Sequence, residues 1–103
     1  MSAAAAVALL SACSKSTEYF IHKSLKNAGF KRPEARCAVD GVAGQLSRDQ
    51  LSALRGPLLR YVMLDEPARL MDVDELLAWL RPRVSPEIHH VVSHYATECR
   101  VAG

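Results

Sequence analysis

Long apolar runs are missing from this 103-residue chain; the longest unbroken one, Ala3–Leu10, covers eight residues. A membrane-spanning helix needs about 20, so that run does not cross a bilayer. Aromatic residues are scarce, with two Phe, one Trp and three Tyr, and the net charge is only +2. Without an RNP-type motif or a long basic stripe, these values exclude the usual nucleic-acid readers. Five Gly and five Pro are too few for a collagen-like or low-complexity chain. The three cysteines, Cys13, Cys37 and Cys99, form no Cys-x-x-Cys pair, which removes the thioredoxin-like and zinc-knuckle signatures. No Gly-x-Ser-x-Gly turn presents a nucleophile. Gly41 and Gly44 stand three apart in a helical pattern rather than in a phosphate-cradling loop. A non-enzymatic protein without a cofactor is therefore expected.

What is present is an ordinary globular balance, with 50% hydrophobic and 23% charged residues, at a length suited to one small domain. Thr17 can cap a first helix reaching about Asn27, and Gly29 followed by Phe30 has the form of a left-handed helix end with its hydrophobic contact. Pro33 suits the first turn of a second helix to about Leu46. Its residues Ala35, Ala38, Val39, Val42, Ala43 and Leu46 keep the spacing of one buried face. Ser47-x-x-Gln50 reads as a capping box ahead of a third stripe, Leu51, Leu54, Leu58 and Val62. Gly56-Pro57 interrupts that stripe, because Pro57 cannot donate to the Ala53 carbonyl; a kinked or two-piece helix is expected. Asp65-Glu66-Pro67 predicts a short helical turn and Asp72 to Glu75 an acid-capped start, with Val73, Leu76, Leu77 and Leu80 facing the core until Pro82. Ser85-Pro86-Glu87 opens a last helix carrying Ile88, Val91, Val92, Tyr95 and Cys99 on one face. No segment alternates like a strand. The fold class expected is all-α, a small bundle of about five helices with a kinked or broken central helix.

The N-terminal run has the length of a signal-peptide apolar region, and Leu10-Ser11-Ala12-Cys13 follows it directly. These residues resemble the lipobox of bacterial lipoproteins. The resemblance implies cleavage between Ala12 and Cys13 and a diacylglycerol group on the Cys13 thiol. It divides the chain into a signal peptide (1–12), a lipid attachment site with a short tether (13–16) and a single helical domain (17–103). It also implies a protein on the periplasmic face of a bacterial membrane, whose partner is the membrane, with a protein partner left open. Ser14, in place of Asp, resembles lipoproteins sorted to an outer membrane. Ala35-Arg36-Cys37-Ala38-Val39-Asp40-Gly41, with Leu46-Ser47-x-x-Gln50-Leu51, is similar to small exported bacterial helical proteins, a likeness that carries no activity. Were Cys13 lipidated, Cys37 and Cys99 would be the remaining pair. They can form a disulfide between the second and last helices or stay as buried thiols; the bridge is the expectation. Gly41 and Gly44, on the Cys37 face, would let the helices approach.

His90 and His94 stand one turn apart, the spacing with which two imidazoles share a zinc ion. The position after the first His is Val91, where zinc proteases place a Glu. A polar surface face is the preferred reading, with His90, His94 and Glu98 as the ligands if a metal is held. His22 and His89 have no partner legible in the sequence. From Lys15 to Arg36, six Lys and Arg face only Glu18 and Glu34. Such a stretch either attracts anionic lipid headgroups beside an acyl anchor or pairs with the acidic stretch from Asp65 to Glu75. The function these features favour is a lipid-anchored helical protein with an interaction, structural or accessory role. The alternative is a soluble cytosolic helical domain that binds a partner, or a metal through His90 and His94.

Overall fold

The computed structural model describes residues 2–63 and 72–102, with side chains for 15–63 and 72–100. The Asp65-Glu66-Pro67 turn and the side chains of the signal segment and of Cys13 lie outside the described residues. Within them the protein is all-α: α1 (Ser2–Asn27), α2 (Arg32–Gln45), α3 (Arg48–Met63), α4 (Val73–Leu80), a 3₁₀ turn (Arg81–Arg83) and α5 (Pro86–Ala102).

The end of α1 and the starts of α2, α3, α4 and α5 are built from side chains and backbone groups close in sequence. At the end of α1, Gly29 has φ 107°, a conformation that glycine adopts without steric cost. There the Phe30 N–H donates to Leu25 O (2.9 Å) and the Gly29 N–H to Lys26 O (3.0 Å). Leu25 and Phe30 are both buried, completing a Schellman motif that folds α2 back along α1. Glu34 accepts the Lys31 N–H at the start of α2 (2.8 Å). Ser47 and Gln50 exchange reciprocal bonds of 3.2 and 2.9 Å at the start of α3. Asp72 accepts the Glu75 N–H (2.9 Å), and Ser85 accepts the Ile88 N–H (3.3 Å). These caps satisfy donors that helix starts leave without partners.

Helix α1 packs against α2 and α3, α2 against α5, and α4 against α5. The buried faces follow helical spacing: Ala35, Ala38, Val39 and Val42 on α2, Leu51, Leu54, Leu58 and Tyr61 on α3, and Ile88, Val92, Ala96 and Cys99 on α5. Tyr61, absent from the sequence-derived stripe, is fully buried while Val62 is only partly so. The Tyr61 ring lies 5.7 Å from Trp79 of α4, and the Arg83 guanidinium covers the Trp79 ring at 4.2 Å. Burial pushes the Tyr61 hydroxyl pKa up. Helix α3 passes through Pro57 without dividing. Apolar residues on both sides of the proline, Leu54 and Leu58, are anchored in the same core and hold the two halves in one run.

Thr17 does not start a helix. It lies inside α1, fully buried, and its hydroxyl donates to Leu51 O of α3 at 3.2 Å. The Ala-rich segment before it has high intrinsic helix propensity, so the helix extends to Ser2. Residues 13–16, expected as a tether, are helical, and the Ser16 hydroxyl accepts from Arg55 Nε at 3.1 Å.

The two glycines of α2 differ. A Cβ on Gly41 would lie 2.2 Å from Cδ1 of Tyr95 and 2.6 Å from Cγ, whereas one on Gly44 meets nothing within 4 Å. Gly41 is the close-approach position between α2 and α5; Gly44 is not. Gly41→Ala is expected to lower stability by about 1 kcal/mol net, overpacking of about 1–3 kcal/mol outweighing the gain in helix propensity. Gly44→Ala should instead stabilise by up to about 1 kcal/mol. Urea denaturation of the two variants checks the opposite signs.

Candidate functional site

Three places concentrate polar chemistry among the described residues: the α2–α5 cross-link, the histidine face of α5 and a basic cleft between α1 and α2. At the first, Cys37 and Cys99 are joined by a disulfide with a Cα–Cα distance of 5.7 Å, within the range a bridge spans without backbone movement. Cys99 is buried and Cys37 exposed, so the bridge runs from the core to the surface, next to the close approach at Gly41.

On α5, His94 Nε2 and Glu98 Oε1 are 3.8 Å apart, with both side chains more than half exposed. His90 is exposed as well. Among the described residues no three His, Cys, Asp or Glu side chains converge as a metal site. The His94–Glu98 pair is a solvated one-turn contact of the kind worth a few tenths of a kcal/mol. His89, for which the sequence offered no partner, has two. Its Nε2 lies 2.8 Å from Leu77 O, and its Nδ1 lies 3.4 Å from the Ser93 hydroxyl. A neutral ring protonated on Nε2 donates to the carbonyl and accepts from the serine. This contact ties α4 to α5 through a backbone carbonyl, a partner that no spacing rule reveals.

The cleft follows from the turn at Gly29. Folding α2 back on α1 sets Lys15, Glu18, Tyr19 and His22, on one face of α1, opposite Arg32, Arg36 and Val39 of α2. The space between them measures ≈ 560 Å³ and opens to solvent. Lys15, Arg32 and Arg36 are exposed, and Tyr19 is 58% exposed. The ion pairs among the described residues are His94–Glu98 and Arg100–Asp74; neither includes a cleft cation. Asp40, one turn beyond Arg36, does not close on it. The basic stretch therefore does not pair with the described part of the acidic stretch, Asp72 to Glu75. Burial, then the positive charges of Lys26, Arg36 and Arg32, holds the His22 imidazole below its ordinary value of 6.5. The excess of basic residues was legible in the sequence; their convergence from two helices needed the Gly29 turn.

No protein-family model, no curated protein and no solved structure matches the chain. No helix among the described residues is long and apolar enough to cross a membrane.

Proposed function

We propose that the chain is a small non-enzymatic protein held at the periplasmic face of a bacterial membrane by acyl chains on Cys13, with an interaction, structural or accessory role. The observation that carries this reading is the division of labour among three cysteines. Cys37 and Cys99 are bonded to each other, and Cys13 is the remaining one, directly behind an apolar run in a Leu-Ser-Ala-Cys setting. Structural disulfides persist in oxidising compartments such as the periplasm. The absence of a linker after Cys13 adds geometry. The backbone is helical from there to Ser16, whose hydroxyl bonds Arg55, so an acyl chain on Cys13 would keep α1 close to the bilayer. Intact-mass spectrometry of the chain expressed with its N-terminus in a bacterial host tests the proposal. The expected product starts at Cys13 and carries the added mass of its acyl groups, and Cys13→Ala abolishes both processing and membrane fractionation. An unmodified chain beginning at Met1 or Ser2 overturns it.

A further inference from the structure

The α1–α2 cleft gathers basic side chains from two helices. Arg32 and Arg36 are like charges one helical turn apart, an arrangement that weakens an isolated helix. Across from them α1 contributes Lys15 and His22. Glu18 is the one carboxylate lining the space, and it makes no ion pair within 4 Å of a described cation. A pair of arginines on adjacent turns offers two planar donor forks, and the lysine a compact point charge; together they can engage several oxygens of a phosphate group at once. The exposed Tyr19 ring and Val39 provide apolar surface for a group attached to that anion. We propose that this cleft, lined by Lys15, Tyr19, His22, Arg32 and Arg36, is a binding site for a phosphate-bearing ligand.

Two sources share this chemistry, the phosphate of an anionic lipid headgroup and a soluble phosphate compound. The site does not depend on acylation of Cys13, and the experiment keeps the two ideas apart. The full chain carrying Cys13→Ser is titrated with inorganic phosphate while the His22 imidazole signals are followed by NMR. In parallel it is sedimented with phosphatidylglycerol-containing vesicles and with pure phosphatidylcholine vesicles. A bound anion offsets the repulsion that Lys26, Arg36 and Arg32 exert on the protonated ring, with Lys15, Glu18 and Tyr19 facing the same space. The His22 pKa is therefore expected to rise on saturation with phosphate. Arg32→Glu with Arg36→Glu is expected to abolish that rise and to weaken binding to anionic vesicles about tenfold or more. Arg48→Glu with Arg60→Glu, an equal charge change at exposed positions of α3, should leave both nearly intact. Arg32→Gln with Arg36→Gln gives the same direction should the double reversal disturb folding, and the melting curve reports that directly. Binding to vesicles with no response to phosphate identifies the headgroup as the source; a phosphate response with no vesicle binding identifies a soluble ligand. The proposal fails if neither probe moves His22 or sediments the chain, or if Arg48→Glu with Arg60→Glu loses as much binding as the cleft arginine pair.

Discussion

Cys37→Ser lowers the melting temperature by more than about 10 °C, and reductant applied to the unsubstituted chain does the same. The bridge closes a separation of 62 residues, for which the chain-entropy model assigns about 4 kcal/mol of denatured-state restriction. A domain of this size shifts by about 4–8 °C per kcal/mol. Substituting Cys37 isolates the cross-link, because that residue is exposed and Cys99 is 1% exposed. Serine at 99 would bury a hydroxyl and add a desolvation cost to the measurement. Stability on the order of 5–15 kcal/mol is typical for a single domain, so the cross-link represents a large share of the total. Differential scanning calorimetry of oxidised and reduced protein decides it. A difference below about 2 °C would mean that the bridge constrains a denatured state already held compact by other contacts.

Leu54→Ala destabilises by about 2–5 kcal/mol, whereas Met63→Ala on the same helix changes stability by less than about 0.5 kcal/mol. Leu54 is fully buried and Met63 is 73% exposed. Leu54 lies one turn beyond Leu51, whose carbonyl takes the Thr17 hydroxyl, on the surface of α3 that meets α1. Truncation there removes apolar contacts and leaves a cavity that two helices fixed by their caps cannot readily fill. Met63 at the helix end already faces water, so its removal forfeits little. Chemical denaturation of both variants provides the comparison, and equal effects would remove Leu54 from the centre of the core.

The helix punctuation was legible because it is local. Ser47 with Gln50, Asp72 with Glu75, and Ser85 ahead of Pro86 satisfy donors three residues away, so the chemistry and its target lie in one short window. Gly29 was legible for the same reason: a left-handed residue at a helix end needs only its own backbone to be recognised. Thr17 is the instructive counterexample. Its hydroxyl suits a cap, but the Ala-rich segment before it continues the helix, and the partner it finds is Leu51, 34 positions away. Tyr61 and Val62 exchanged roles in the same way. Periodicity sets a stripe within about one residue, and packing against Trp79 of another helix decided which neighbour entered the core.

At the candidate sites the division is similar. The residue chemistry of the charged and sulfur-containing positions could be read directly: six basic residues between Lys15 and Arg36, one surface-type histidine pair, and two cysteines on helices able to pack together. Their mutual distances could not, because they depend on how α2 folds back on α1 and then lies against α5. By itself the sequence determined an all-α chain, most of its described helix ends though not the start of α1, and most of its buried faces, since helical period and capping act over one to three turns. Only the tertiary structure decided that Gly41 and not Gly44 admits the facing helix, that His89 bonds the Leu77 carbonyl, and that Lys15 and His22 share a cleft with Arg32 and Arg36. Contacts between helices depend on shape and volume summed over many side chains, which no local spacing encodes.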